Sequence, residues 1–281
     1  MARSGGVDVE IRYHAGMNCL ALLRRLGRLY RVLTWLALLA FGVASGAEIP
    51  SIAAAADLRY ALDEVVLAYQ HTNGVVARVT YGSSGNFFTQ LQQGAPFDIF
   101  MSADETLVQA LAARSLTRDA GELYAIGRIV LFAPRGGPIM IDKGFTDLRR
   151  ALDDGRLSKF AIANPAHAPY GRAAREALRA AGLWERLAAH LVLGENVAQA
   201  AQFARSGAAQ AGIFALSLAL APPFADAGTY VVIDPSQHQP LRQRMVLMRG
   251  AGEAATQLYA YLKSPVARAV LRRYGFTLPH E

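Results

Sequence analysis

Four small residues, Gly82-Ser83-Ser84-Gly85, lie where a strand-like stretch passes into a helix-like one. The first N–H groups of a helix have no partner within it, and together with the helix dipole they attract anions. The two glycines allow close backbone approach, and the two serines add hydroxyl donors on short side chains. An ordinary tight turn with a serine cap is the alternative. The motif therefore favours a site for a small desolvated oxyanion without requiring one.

Three further turns from strand to helix carry similar donors. They are 54–57 (AAAD), 168–171 (APYG) and 194–197 (GENV). In parallel α/β sheets ligands sit at the carboxyl ends of strands, where such turns gather. Four donor-bearing helix starts can converge on one cleft only if the fold brings them together, which the sequence alone does not establish.

Catalytic motifs are incomplete at these turns. A hydrolase elbow needs Gly-x-Ser-x-Gly, and Gly82-Ser83-Ser84-Gly85 is one residue short. A phosphate-binding P-loop needs Gly-Lys followed by Ser or Thr, but Asn86 follows Gly85. The histidines after residue 47 show no ligand spacing, and His167 by itself is typical of a solvated loop residue. We therefore expect no catalysis, no cofactor and no metal held directly by protein ligands.

The first 47 residues have the pattern of an export signal. Arg24, Arg25, Arg28 and Arg31 precede the short apolar stretch 32–43, and small residues at 44–47 allow cleavage after Ala47. The apolar stretch is shorter than the roughly 20 residues that span a bilayer, so a retained anchor is the less favoured alternative. Met17 is an alternative start. The single cysteine, Cys19, lies in this segment, which leaves the predicted mature chain without a thiol.

Charge gives little reason to expect nucleic-acid binding. The net charge is +7, but residues 48–281 hold 23 basic and 20 acidic residues without a long basic run. Strand-like segments alternate with helix-like ones over this range, which predicts parallel sheets covered by helices on both faces. The predicted strands are 51–55, 75–81, 98–101, 128–133, 160–163, 210–214, 231–233 and 244–248.

Over residues 49–279 the chain resembles the periplasmic molybdate-binding proteins of ABC importers. The most specific stretches are GAPFDIFMSAD at 94–104 and RRYGFTL at 272–278. The resemblance implies an α/β protein with the type II periplasmic-binding fold, in which two doubly wound α/β domains are joined by crossing strands. The expected boundaries are 1–47 for the signal peptide, 48–127 plus 238–281 for domain 1, and 128–237 for domain 2.

The same resemblance implies which residues bind the oxyanion. The first loop contributes Ala56 and Asp57, and the second contributes Ser84 beside Ser83. Backbone N–H donors are expected from the third and fourth loops, at Tyr170 and Val197. A tyrosine that often completes the family's site is replaced by Ala215, and we expect Tyr170 to fill the space.

Asp57 departs from the family pattern, in which serine or asparagine is common. A carboxylate cannot donate to an oxyanion, and it repels a dianion by about 8 kcal/mol at about 4 Å with an effective dielectric constant of about 20. The first interpretation is that Asp57 turns away to cap its helix, leaving only its backbone N–H for the ligand. The second is that Asp57 accepts a proton carried by the ligand, which favours an anion such as hydrogen phosphate. Arg59 and Arg172 are candidates to offset the charge.

We therefore expect a periplasmic, monomeric binding component of an ABC importer that captures molybdate or tungstate and delivers it to an inner-membrane permease. A binding protein for phosphate or another protonated oxyanion is the alternative within the same class. A secreted enzyme on the same scaffold and the effector domain of a transcription regulator are the alternatives from other classes. The predicted export signal argues against the regulator.

Overall fold

Two separate sheets form the framework of the protein. The computed structural model describes residues 48–279, so the predicted export signal with Cys19 lies outside the described residues. Within the described range there are ten strands, two of which, β4 and β7, the sequence pattern does not predict. The strands are β1 (Ser51–Ala55), β2 (Arg78–Gly82), β3 (Ile99–Ser102), β4 (Glu122–Gly127), β5 (Ile129–Pro134), β6 (Phe160–Ala163), β7 (Leu191–Gly194), β8 (Ala211–Ala215), β9 (Gly228–Val232) and β10 (Leu241–Leu247).

Helices follow most strands, as the alternating pattern predicts. Short 3-10 turns at Ala56–Leu58, Ala188–His190, Pro222–Phe224 and Pro235–Gln237 complete the connections. The α-helices of the described chain are α1 (Arg59–Asn73), α2 (Ser84–Gln92), α3 (Glu105–Ala113), α4 (Thr146–Asp153), α5 (Pro169–Ala180), α6 (Trp184–Leu187), α7 (Val197–Arg205), α8 (Leu216–Ala219), α9 (Glu253–Leu262) and α10 (Pro265–Arg273).

Each sheet has five strands and mixed direction. The strand orders are β2-β1-β3-β10-β4 and β7-β6-β8-β5-β9. In the first sheet β1 pairs in parallel with β2 and β3, whereas β10 is antiparallel to β3 and β4. In the second, β6 pairs in parallel with β7 and β8, and β5 is antiparallel to β8 and β9. The predicted α/β class is confirmed, but the prediction that the sheets are purely parallel was wrong. Because β5 and β10 enter from the other sheet, no helical crossover fixes them parallel to their neighbours.

The chain passes between the sheets twice. It leaves the first sheet through Arg128, between β4 and β5, and returns between β9 and β10. The predicted boundaries at 127/128 and 237/238 fall in these two crossings. The division into two separate domains stays a prediction. The strands of both sheets nevertheless belong to one compact unit, which begins at Glu48.

Apolar helix faces cover the sheets. On α1 the buried residues Ala61, Leu62, Val65 and Tyr69 recur at helical spacing, as the sequence pattern predicts. The helix ends at Gly74, whose φ of 70° is left-handed and suits glycine. Burial of one large apolar side chain stabilises a fold by about 1.5–3 kcal/mol. No helix within residues 48–279 is both long and apolar enough to cross a membrane.

A single glycine permits the close approach of α5 to the end of β6. A Cβ atom at Gly171 would lie 2.2 Å from the carbonyl oxygen of Ala163, which is a backbone atom and cannot rotate away. The first turn of α5 can therefore pack against the carboxyl end of β6 only with glycine at this position. This contact fixes where Pro169 and Tyr170 lie.

We expect Gly171→Ala to lower the free energy of unfolding by about 1–3 kcal/mol, because the added methyl group forces α5 away from β6. Urea denaturation measures the change. Gly250→Ala is the matched control, since a Cβ atom there meets nothing within 4 Å. Equal stability of the two variants would contradict the close packing of α5 on β6.

Candidate functional site

A small pocket lies between the two sheets. It is bounded by the turns after β1 and β2 and by the first residues of α2, α5 and α7. All six residues that the resemblance assigns to the oxyanion contribute to its wall. The lining residues are Ala55, Ala56, Asp57, Gly82, Ser83, Ser84, Ala103, Ala168, Pro169, Tyr170 and Val197. The fold therefore brings the four turns together, while their role in binding an anion stays a prediction.

Three helices direct their N-termini at this pocket. The side chain of Asn196 caps α7 by accepting from the N–H groups of Ala198 and Gln199, at 3.0 and 3.1 Å. That cap leaves the N–H of Val197, the first residue of α7, for a ligand. In α5 the first residue is Pro169, which has no N–H, so Tyr170 provides the first backbone donor. Both donors carry the partial positive charge of a helix N-terminus.

The two serines of the turn after β2 have different roles. The hydroxyl oxygen of Ser84 accepts from the N–H of Ala103 at 3.0 Å, and the residue is fully buried. Its hydroxyl proton remains to be donated. The hydroxyl of Ser83 donates to the backbone oxygen of His167 at 2.6 Å, and Nδ1 of His167 lies 3.0 Å from the same hydroxyl oxygen. Ser84 is therefore the serine whose donor is available to a ligand in this conformation.

Contacts around the pocket join elements of the two sheets, and we call them the bridging contacts. The N–H of Gly85 donates to the backbone oxygen of His167 at 3.0 Å, beside the Ser83 bond. A Cβ atom at Gly85 would lie 2.4 Å from that oxygen, so glycine is needed there. Asn86 bonds Glu195 at 2.5 Å, and Arg172 pairs with Asp104. The expectation that His167 is a solvated loop residue was wrong, because its backbone and ring both contact Ser83.

Asp57 is buried in a cluster of polar side chains. Its Oδ2 accepts hydrogen bonds from the Tyr170 hydroxyl at 2.9 Å and from Nε2 of Gln243 at 2.7 Å. Nε2 of Gln243 also donates to the Tyr170 hydroxyl at 3.0 Å, and the Tyr124 hydroxyl donates to Oε1 of Gln243 at 2.7 Å. We call these four residues the Asp57 cluster. Tyr170 comes from the second-sheet half, so the cluster also joins the two halves.

The interpretation of Asp57 as a helix cap was wrong. No side-chain cap bond is made at the start of the 3-10 turn or at the start of α1. Its backbone oxygen instead accepts from the Ser217 hydroxyl at 2.7 Å. Burial raises the pKa of Asp57 to about 6, with the hydrogen bonds from Gln243 and Tyr170 acting in the opposite direction. Its Oδ1 is buried and has no hydrogen-bond partner among residues 48–279.

Gly127 makes the Asp57 cluster possible. A Cβ atom at this position would lie 2.2 Å from the Tyr170 hydroxyl oxygen and 2.8 Å from Nε2 of Gln243. Sequence reasoning missed Gly127, Gln243, Tyr124 and Ser217. The signal that was available is the alternation in β10 (LRQRMVL), which puts Gln243 on the same face as the buried Leu241 and Met245. Nothing in the sequence marks the other three.

The arginines proposed to offset charge do not line the pocket. Arg172 is engaged by Asp104 in a separate groove, and the guanidinium of Arg59 lies over the Tyr81 ring at 5.8 Å from its centroid. Ala215 is fully buried on β8 opposite Ile129 and is not part of the pocket wall. Within residues 48–279 the wall holds no cationic side chain, and its polar groups are neutral donors and Asp57.

Two mixed α/β sheets joined by crossing strands, with a donor-lined pocket between them, are the architecture of a solute-binding protein. The chain belongs to the bacterial extracellular solute-binding protein family, whose profile matches residues 50–277. The family resemblance seen in the sequence is thereby confirmed.

Similar proteins include several molybdate-binding proteins. The chain is 32% identical to the molybdate-binding protein ModA of Rhodobacter capsulatus over 241 residues, which cover 85% of this chain and 91% of that protein. It is 32% identical to ModA of Azotobacter vinelandii over 84% of this chain and 92% of that protein. The structure of the Azotobacter vinelandii periplasmic molybdate-binding protein superposes with a TM-score of 0.75 at 28% identity, covering 83% of this chain and all of that one.

The stability of the ligand-free protein should depend on pH through Asp57. Its folded-state pKa of about 6 lies above the ordinary value of 3.8. Between these values the folded chain binds more protons than the unfolded chain, so stability falls as pH rises through this window. A shift of about two units corresponds to about 3 kcal/mol. Asp57→Asn removes this loss because its amide does not ionise.

We expect the stability of Asp57→Asn relative to the unaltered protein to increase by about 1–3 kcal/mol between pH 4 and pH 7.5. Urea denaturation at both pH values, without oxyanions, measures it. Asp226→Asn is the control, because that side chain is 93% exposed and its ion pair with Arg135 lies in solvent. A difference that does not change with pH would contradict the buried, protonatable state of Asp57.

Proposed function

We propose that this protein is the periplasmic solute-binding component of an ABC importer and that it captures molybdate or tungstate in the pocket between the sheets. The observation that carries the proposal is the convergence of neutral donors. These are the Ser84 hydroxyl and the N–H groups of Tyr170 and Val197. Fixed neutral donors at helix N-termini replace the hydration shell of a small oxyanion without a formal positive charge.

The choice of molybdate or tungstate is supported by the named ligand of the similar proteins, because donor chemistry alone suits any tetrahedral oxyanion. The alternative within the class is a protonated oxyanion such as phosphate. It is favoured by a specific observation, the presence of the Asp57 carboxyl group in the pocket wall. A fully ionised anion needs the carboxyl group to be protonated, so that it can donate a hydrogen bond. A protonated anion needs the carboxylate form, which accepts one.

The mechanism is capture by closure. In an open form the two halves would admit the anion, and the bridging contacts would then form around it. Two of these contacts are the hydrogen bonds from Ser83 to His167 and from Asn86 to Glu195. Each joins a residue of the first-sheet half to one of the second-sheet half, so these bonds form only when the halves meet. The permease would read the closed form, since only a state that the ligand favours can report that the ligand is bound.

An enzyme is the candidate from another class. Ser83, His167 and Glu195 lie close together, with Nε2 of His167 at 3.7 Å from Glu195. However, the Ser83 proton is bonded to the backbone oxygen of His167, so the imidazole faces the hydroxyl as a donor. A general base must instead accept the proton of its nucleophile. The similar proteins are binding proteins by name, which also favours binding over turnover.

The remaining parts of the proposal follow from the family. Export by the segment 1–47 would place the mature protein in the periplasm, and an inner-membrane permease would be its partner. We propose that it acts as a monomer, binds no nucleic acid and needs no cofactor besides its ligand.

Calorimetric titration with molybdate, tungstate, sulfate and phosphate tests the function. We expect tight binding of molybdate and tungstate, and we expect Ser84→Ala to weaken it about ten- to hundred-fold because one charge-assisted hydrogen bond is lost. Ser206→Ala is the matched control, since Ser206 is exposed and its hydroxyl bonds only Phe203. Absence of binding to all four anions, with the protein folded, would contradict the proposed function.

A further inference from the structure

One polar atom in the pocket wall lacks a partner. Asp57 is 1% exposed, and both of its carboxyl oxygens are enclosed. Oδ2 accepts one hydrogen bond from Tyr170 and one from Gln243. Oδ1 has no hydrogen-bond partner in the part of the chain that the structure describes. Buried polar atoms are nearly always bonded, so an orphan beside a ligand pocket indicates a bond made to the ligand.

The hydrogen-bond donors in the same pocket wall would hold an anion, and an oxygen of that anion would face Oδ1. Ser84, Tyr170 and Val197 line the pocket with Asp57, so an anion held by them lies next to Asp57. Two facing oxygens that both carry negative charge repel each other, whereas one proton between them turns the contact into a short, strong hydrogen bond. The orphaned Oδ1 is satisfied only in the second case.

No charged neighbour changes this balance. Of the groups around Asp57, the Tyr170 and Tyr124 phenols have pKa values well above their ordinary range because of burial, so they stay neutral. Gln243 and Ser217 do not titrate.

Arginine side chains on adjoining elements have other partners: Arg172 pairs with Asp104, and Arg242 and Arg244 pair with Glu105. Arg59, at the start of α1, lies over the Tyr81 ring. Arg205, the last residue of α7, lies over the Phe224 ring and bonds the backbone oxygen of Pro223. The proton at Asp57 is therefore the available means of removing the repulsion.

We propose that oxyanion capture by this protein is proton-linked, with one proton held between Oδ1 of Asp57 and an oxygen of the bound anion. The inference rests on the proposed function and specifies its chemistry. For a fully ionised anion the proton is taken from solution by Oδ1, which then donates to the anion. For an anion that already carries a proton, Oδ1 accepts it and nothing is taken from solution.

The pH dependence follows from the state of the empty pocket. Burial places the pKa of Asp57 at about 6, so the carboxyl group is largely protonated at pH 5 and largely ionised at pH 8. Affinity for a fully ionised anion is then constant below about pH 6. Above it, affinity falls about ten-fold for each pH unit, because each binding event must take up one proton.

Calorimetry on the unaltered protein measures the proton directly. Molybdate is titrated at pH 5 and at pH 8, each time in two buffers that differ in ionisation enthalpy. We expect uptake close to one proton per molybdate at pH 8 and close to none at pH 5. Phosphate is titrated in parallel, and if it binds we expect smaller uptake at pH 8, because the anion itself supplies the proton.

Asp57→Asn is the decisive variant. Its amide oxygen accepts the bonds from Tyr170 and Gln243, and its amide nitrogen takes the place of Oδ1 with a permanent donor. We expect molybdate affinity that does not vary between pH 5 and pH 8, no proton uptake, and about 100-fold tighter binding than the unaltered protein at pH 8. Asp226→Asn, an exposed carboxyl group outside the pocket, should keep the pH dependence of the unaltered protein.

The outcomes separate this inference from the function on which it rests. Tight molybdate binding by the unaltered protein with no pH dependence and no proton uptake overturns the proton link and leaves the function standing. Absence of oxyanion binding by both the unaltered protein and Asp57→Asn overturns the function. Binding of phosphate alone supports the shared proton and overturns the assignment to molybdate.

Discussion

The buried carboxyl group of Asp57 is the constraint on which the site depends. It follows the first strand of one sheet, and it is held by Tyr170 from the other half and by Gln243 from the returning strand β10. A carboxyl group in such a place is stable only if its oxygens are bonded or its proton is retained. The Asp57 cluster therefore couples four separate stretches of chain beside the pocket, and it sets both the position of Tyr170 and the electrostatic character of the pocket.

Close backbone approach is the second requirement, and glycine meets it at three points. Gly127 gives space to the Tyr170 hydroxyl, Gly85 allows contact with His167, and Gly171 lets α5 reach the end of β6. At Gly127 and Gly85 a methyl group would separate the halves, and at Gly171 it would move α5 away from β6. The pocket is small because these approaches are tight, and a small pocket enforces removal of water from the ligand. Neutral donors then serve well, because they bind an anion without the desolvation penalty of a buried cation.

The sequence predicted the fold class and most elements because their periodicity is local. The apolar spacing of α1 and its Gly74 stop are examples. The sequence pattern missed β7 (LVLG) because four residues next to a helix are too short to show a period. It also missed β4 (ELYAIG), which is separated from the predicted strand β5 by a single residue. The mixed direction of both sheets also escaped it. Strand direction depends on which sheet the chain has just left, and local periodicity does not contain that information.

The sequence by itself determined the candidate site residues, through four strand-to-helix turns and a family pattern that includes the unusual Asp57. Only the tertiary structure decided what each does. It distinguished Ser84, with a free hydroxyl proton, from Ser83, which bonds His167. It turned Asp57 from a supposed helix cap into the centre of a buried cluster with one unbonded oxygen. The reason is physical: residue type fixes which bonds a group can make, but the partners come from positions 19–186 residues away in the chain, and only folding brings them within reach.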